Sequence, residues 1–402
     1  MIFFAAAAGA FSRGAFVVAV AWTALVLTND KAMVGRVLVI WSLIALFIGP
    51  FVGTMIERWN RKRSVLAGQF LVCLAITFPA ILPLSGLELT IEHLFIAATV
   101  WSLGGLFVGG PFDALVQAAI AGDQRRKVGA QLGSFRQVFM VTGVGAAGLI
   151  MHHHGPGLVF LLSATAAMLM GLTVLFGISS PPEHSPETDL TDLTDLPVAE
   201  QSYLSDLREG LGYLAGTPAL VIASATSALA FASGQVTNTL LPAYVFEEMQ
   251  SGSDLYGFAD AAWAIGAVGA SMTIALLLTR YRLQKTDSWC LILIGGTMLL
   301  MWFKINPLTL IVLQLAMGAT ASTAKAISDG ELLQHCDEKK IGRIRSLVQA
   351  IAGLIGIFVH LSPSFLSTFS TAEIYLLWGS IFTVTGLFFA LMPATRRSQL
   401  AK

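Results

Sequence analysis

Apolar runs about as long as a bilayer is thick follow one another along this chain, separated by short polar connections. A helix needs about 20 predominantly apolar residues to cross the hydrocarbon core. Inside that core every backbone N–H and C=O must be satisfied within the segment, which restricts such runs to helices. The composition agrees: 55% of the 402 residues are hydrophobic and only 12% are charged, where a soluble globule carries roughly a quarter charged residues. Mean hydropathy is +0.74. With connections included, about twelve spans of roughly 33 residues fill the length. The runs place them near 3–27, 35–55, 65–87, 93–119, 131–151, 158–178, 217–245, 256–279, 288–304, 308–333, 346–367 and 374–393. The expected fold class is an all-α membrane protein of about twelve transmembrane helices.

The formal net charge is zero, but the cations are unevenly placed. Connections after even-numbered spans hold Arg58, Arg61, Lys62 and Arg63, then Arg125, Arg126 and Lys127, then Arg280, Arg282 and Lys285, then Lys339, Lys340, Arg343 and Arg345. The tail adds Arg396, Arg397 and Lys402, whereas connections after odd-numbered spans hold only Lys31, Arg36 and Lys304. The positive-inside rule therefore predicts both termini in the cytoplasm. The cations orient the chain and do not point to nucleic acid.

Cys73, Cys290 and Cys336 fall in or beside different spans without CxxC spacing, so neither a disulfide framework nor a zinc site is expected. His152, His153 and His154 are expected in a short outer loop, and three adjacent His do not share one helical face, so no metal is expected there. The first apolar run lacks a basic leader and is too long for a signal segment, so it reads as the first span. No Walker loop, metalloprotease motif or nucleophile elbow with partners is visible. This argues against an ATP-driven pump and against an enzyme, and no cofactor is expected.

The long polar break falls at 179–202. It is rich in Pro and Asp, free of Lys and Arg, and reads as a solvated acidic linker. A short amphipathic helix is expected from Tyr203 to Leu214. The linker separates an N-terminal six-helix half, 1–178, from a C-terminal half, 203–402. A weak repeat, Asp123 to Gly129 after the fourth span and Asp337 to Gly342 after the tenth, supports two pseudo-symmetric halves.

Between the second and third spans stands Gly49-Pro50-Phe51-Val52-Gly53-Thr54-Met55-Ile56-Glu57-Arg58-Trp59-Asn60-Arg61-Lys62-Arg63. This resembles the cytoplasmic signature loop of the major facilitator superfamily, with Gly53, Glu57, Arg58 and Lys62 fitting the pattern. Glu57 stands where Asp is usual. Asn60 stands where Gly is usual and is expected to supply the left-handed turn. Further stretches are similar to the transmembrane secretion effector branch, which includes the enterobactin exporter and macrolide efflux proteins. These are Pro111-Phe112-Asp113, Ser134-Phe135-Arg136-Gln137, Gly143 to Gly148, Leu204 to Leu214, Leu241-Pro242-Ala243-Tyr244 and Tyr256-Gly257. Two departures touch function. Val144 replaces the Pro of the antiporter Gly-Pro pair, and Arg13 puts a cation where the branch has an acidic or amide residue.

Ionisable residues inside spans are functional candidates by default. Arg13 lies about 10 residues into the first span, roughly 15 Å deep. It reads either as a contact for an anionic substrate or as one member of an internal ion pair. Gln235 and Asn238 in the seventh span are substrate-binding candidates or helix-to-helix glue. Glu57, Arg58, Arg61, Lys62, Asp113 and Arg136 lie near the cytoplasmic face and read as gating residues, with Asp113 paired to Arg136, Arg58 or Arg61. Lys325 and Asp329, four apart on one helical face, form either a static pair or a site protonated during transport. Asp260 is a second proton candidate, and His360 reads as a satisfied helix contact.

The resemblance implies a monomeric secondary transporter of the bacterial inner membrane, working by alternating access on a small-molecule substrate. It further implies efflux of a siderophore or drug-like molecule by proton antiport, with membrane lipid around it. A lysophospholipid-like substrate is the alternative within this class. A transport-inactive sensor or assembly partner is the alternative outside it.

Overall fold

The computed structural model describes residues 1–57, 59–120, 124–178, 212, 216–277, 285–336 and 341–392. The expected linker and nearly all of the expected amphipathic helix, like Arg58, lie outside the described residues. The rest is helical: α1 (Ile2–Thr28), α2 (Lys31–Phe47), α3 (Gly49–Glu57), α4 (Arg61–Leu84), α5 (Ile91–Ala119), α6 (Arg125–His154), α7 (Pro156–Gly177), α8 (Pro218–Ala243), α9 (Ser253–Leu277), α10 (Thr286–Leu300), α11 (Pro307–His335), α12 (Ile341–Phe365) and α13 (Thr371–Leu391). A π-turn, Tyr244–Glu248, extends α8. The helices track the apolar runs within a few residues and often continue past them, as at Arg125 and His154. His152, His153 and His154 are thus the last turn of α6 and not a loop.

The second span breaks. A proline has no N–H for the carbonyl four residues back and disfavours the helical conformation before it, so with Pro50 here α2 ends at Phe47 and α3 restarts the same pass. Turns between passes are short. Asn29 closes α1 in the left-handed conformation, and the Asp30 side chain accepts from the Ala32 N–H at 2.8 Å to start α2. At Asn60 the structure corrects the expectation. Its φ is not positive; its Oδ1 instead accepts from the backbone N–H of Lys62 at 3.0 Å and Arg63 at 3.3 Å. Asn thus serves as a helix cap, a role its side chain performs and glycine's cannot.

The passes alternate between a face carrying Met1, the turn at Trp59 and Asn60, and the end of α13, called here the basic face, and an opposite face. Helices α1–α7 pack mainly among themselves, as do α8–α13. The halves meet where α2 crosses α12 and α6 crosses α9. Advancing each pass by six converts one crossing into the other, as a pseudo-two-fold axis along the passes requires. The first and seventh passes are the inner ones: 67% of the α1 apolar window and 72% of the α8 window are buried, against 44% or less in the other long apolar helices. Large apolar side chains such as Phe70, Phe176, Val312, Phe358 and Phe388 cover the outside, as a lipid-facing surface does.

Candidate substrate cavity and gate

Three neighbouring residues in α1 point different ways. The Ser12 hydroxyl lies 3.2 Å from that of Ser163, and Ser163 donates to the Ser12 carbonyl at 2.8 Å, fastening α1 to α7. A Cβ on Gly14 would strike the Met140 carbonyl, and one on Gly143 the Phe11 carbonyl, so these glycines let α1 lie against α6. Arg13 takes the face left over, and its side chain is exposed.

It opens into a cavity of about 340 Å³ in the first half. Its guanidinium carbon stands 5.6 Å from the Trp101 ring centroid, a cation–π geometry. Trp101 is fixed by Phe16 at 5.2 Å and Trp41 at 5.0 Å. On the same wall Arg136 donates to Asp113 Oδ1 at 2.6 Å and lies 5.2 Å from the Phe112 ring. No carboxylate pairs with Arg13 among the described residues. Two cations and one carboxylate line the cavity, leaving one positive charge unbalanced.

The Asp113–Arg136 pair runs from α5 to α6 within one half and does not bridge the two halves. Asp113 is 54% exposed and Arg136 34%. Arg61 is exposed, and the structure does not bring it to Asp113. Lys62 donates to the Leu175 and Ile178 carbonyls at 2.9 and 2.7 Å, capping the end of α7. Glu57 is the last residue of α3, and its side chain lies outside what is described.

In the second half Lys325 and Asp329 are 3.0 Å apart, and Ser227 donates to Asp329 at 3.2 Å. Ser227 belongs to the inner helix α8, so the pair faces the bundle interior and not lipid. Gln235 and Asn238 lie on α8 near the seam, with their amides 3.5 Å apart and Gln235 against Gly356 of α12. Neither lines the Arg13 cavity. His360 is buried, 2.7 Å from the Thr239 hydroxyl, as a satisfied helix contact should be. Asp260 is 8% exposed and makes no hydrogen bond or ion pair among the described residues.

What closes the seam was not visible as motifs. Lys31 lies 3.7 Å from Glu247 and donates to the Phe369 carbonyl at 2.5 Å. Arg36 donates to Ser364 at 3.1 Å, Ser253 to the Gly148 carbonyl at 3.0 Å, and His152 lies 3.4 Å from Asp254. Trp22 of α1 stacks on Tyr256 of α9 at 5.8 Å and meets Phe246 edge-on at 6.0 Å. Gly148 and Gly257 bring their backbones together, as do Gly35 and the His360 carbonyl. Each of these ties lies between the middle of the passes and the opposite face. The π-turn after Pro242 places Phe246 and Glu247 in this closure. The lost N–H of Pro242 is a physical cause for a widened turn, and such turns recur at functional sites.

Two six-pass bundles meeting at a symmetric seam, closed at one end and with an exposed cation-lined cavity short of the other, are the architecture of a membrane transporter. The chain belongs to the Major Facilitator Superfamily, whose sequence profile it matches over residues 2–231. No curated protein matches it in sequence. Among solved structures it is similar to the nucleoside transporter NupG, with 14% identity, TM-score 0.74 and coverage of 97% of this chain and 98% of that one. It is similar to a point mutant of the peptide transporter POT, with 13% identity, TM-score 0.76 and coverage of 99% and 94%. It is also similar to a bacterial homologue of the iron transporter ferroportin in an inward-facing state, with 15% identity, TM-score 0.72 and coverage of 97% of each chain. At these identities the likeness describes the fold alone.

Proposed function

We propose that this protein is a secondary active transporter that exports a small amphipathic organic molecule, siderophore or drug-like, across the bacterial inner membrane by alternating access and in exchange for protons. The carrying observation is one asymmetry. The seam is shut by Trp22, Lys31, Tyr256 and Glu247 near the opposite face, while Arg13 stands open and, among the described residues, without a carboxylate partner. With the basic face in the cytoplasm, as the cation bias indicates, this is the conformer that loads substrate from inside. An Arg that keeps its proton and rests on Trp101 suits an anionic group joined to an apolar or aromatic body. Asp329, paired with Lys325, and Asp260 are the carboxylates available to take up protons.

The test is transport by the purified protein in proteoliposomes. Dye-like and catechol-bearing anions should move against their gradient when an inward-directed pH gradient is imposed, and should stop when it is collapsed. Movement of lysophospholipid but of none of these anions would overturn the substrate reading. Failure to move any solute under either gradient would overturn the transporter reading.

A further inference from the structure

The Arg13 cavity owes much of its room to bare backbone. Arg13 and Trp101 meet at its deep end, 5.6 Å apart from guanidinium carbon to ring centroid. From there toward the basic face, α1 lines it with Ala10 and Ala6, and α5 lines it with Gly105 and Gly109. Trp101, Gly105 and Gly109 follow one another at four-residue spacing, so they share one face of α5. A Cβ on Gly105 or Gly109 would meet no heavy atom within 4 Å. Gly104 is the contrast. It is turned about 100° from Gly105 on the helix, it does not line the cavity, and a Cβ there would strike the Gly68 carbonyl of α4. Gly110 also faces open space, but it does not line the cavity.

Small residues on membrane helices ordinarily let two backbones touch, as Gly104 and Gly68 do. Gly105 and Gly109 touch no neighbouring helix, and a glycine in a helix interior weakens it relative to alanine. What these two provide is space: a larger side chain at either would project into a cavity of about 340 Å³. With Ala6 and Ala10 on the other helix, the room is long along the helices and shallow between them. From Trp101 to Gly109 is eight residues, about 12 Å, the length of a small fused-ring body. A shallow apolar room suits a flat body, and the Trp101 ring at its end offers a stacking surface. Arg13 has no carboxylate partner among the described residues, so it sets the charge of what enters.

We propose that Gly105 and Gly109 determine which anions the cavity accepts: they shape a slot for the planar aromatic body of a ligand whose anionic end rests on Arg13. This deepens the reading of the cavity as the substrate site and rests on it. The slot discriminates by thickness. An anion of the same charge with a globular apolar body meets Ala6 and Ala10 on one side and the α5 backbone on the other before its charge reaches Arg13.

The experiment is calorimetric titration of purified full-length protein in detergent with two permanent anions, planar naphthalene-2-sulfonate and globular camphor-10-sulfonate. The native protein should bind the planar probe about 10-fold or more tightly than the globular one, the scale on which a pocket weighs a few carbon atoms. Gly105→Leu and Gly109→Leu should each weaken the planar probe by about 10-fold or more, while Gly110→Leu should leave it unchanged. If the leucine variants do not fold, Gly105→Ala combined with Gly109→Ala decides, since alanine favours the helix and its Cβ strikes nothing; it should weaken the planar probe several-fold. Equal affinity of the native protein for the two probes would overturn the slot, as would unchanged binding in the Gly105 and Gly109 variants or an equal loss in Gly110→Leu. Leucine variants that bind normally but no longer turn over would overturn it too and assign the glycines to helix approach in another conformer. Binding needs no transport, so the two readings fail separately. A protein that binds with this preference but moves no solute would overturn the transport reading and leave the slot standing. One that moves flat and globular anions alike would overturn the slot and leave transport standing.

Discussion

Lys62 and Lys285 do the same thing in opposite halves. Lys62 enters the third pass and donates to the final carbonyls of α7, the sixth. Lys285 enters the ninth pass and donates to the Ala390 carbonyl of α13, the twelfth, at 2.6 Å. Six passes separate donors and six separate acceptors, so the internal repeat survives here as a working contact. A cation at a helix C-terminus satisfies orphan carbonyls and complements the dipole.

This pair separates a structural from a gating role for Lys62. Lys62→Met and Lys285→Met should each lower stability by about 0.3–1 kcal/mol, the usual scale of a charge at a helix end. Thermal unfolding of the two variants should show shifts of similar size, with transport per folded molecule unchanged. A loss of transport in Lys62→Met without a matching loss in Lys285→Met would return Lys62 to the gate.

The Lys31–Glu247 pair should hold the opposite face shut. Glu247 also accepts from Thr371 at 2.6 Å, so Glu247→Gln removes a charge from a small network and not from an isolated pair. A partly exposed pair contributes about 1 kcal/mol at most, which corresponds to roughly a fivefold change in an equilibrium. In a background without native cysteines, Ala261→Cys buries a thiol at the α6–α9 seam, where Ala261 lies against Gly145. Adding Glu247→Gln should raise its labelling rate from the opposite side several-fold. An unchanged rate would remove the ion pair from the closure.

Asp113→Asn leaves Arg136 beside Arg13 with no carboxylate between them. The pair is substantially exposed, so its direct contribution to stability is small, about 0–1 kcal/mol. Protein levels should hold while turnover falls, because the cavity then carries two uncompensated cations. Equal loss of expression and transport would mark Asp113 as structural.

Local chemistry made the passes, the Lys325–Asp329 pairing and the His360 contact legible, since apolar length and an i to i+4 spacing are written in consecutive residues. The closure was not, because its partners lie far apart in the chain. Nothing near Lys31 announces Glu247, and nothing near Trp22 announces Tyr256. Glycines show the same limit. Gly104, Gly105, Gly109 and Gly110 stand in the fourth pass, and Gly266 and Gly269 in the eighth. Gly104 does pack on the Gly68 carbonyl and Gly266 on that of Leu315, while Gly105, Gly109, Gly110 and Gly269 face open space. Each residue turns about 100° on a helix, so adjacent glycines meet different surroundings and only the neighbouring helix decides which is needed. Asn60 departs from the glycine pattern for a related reason: a residue that stands in the place of Gly is free to serve that place differently, here as a side-chain cap.

Arg13 carries the last prediction. Its charge has no carboxylate partner among the described residues, it cannot shed its proton at ordinary pH, and it is held over Trp101 in an open cavity. An anionic group on a substrate would meet it there with charge-assisted, bidentate hydrogen bonds. Arg13→Lys keeps the charge but loses the planar fork and much of the stacking. Arg13→Gln loses charge and fork together. For an anionic substrate, Gln should abolish transport and Lys should weaken it by about 10-fold, the equivalent of roughly 1.4 kcal/mol. A neutral analogue of the same size should be affected far less by either. The measurement is initial uptake into inverted vesicles for an anionic and a neutral probe across the three proteins, normalised to folded protein. Equal losses for both probes would mean that Arg13 supports packing between α1 and α5, through Trp101, and does not read substrate charge.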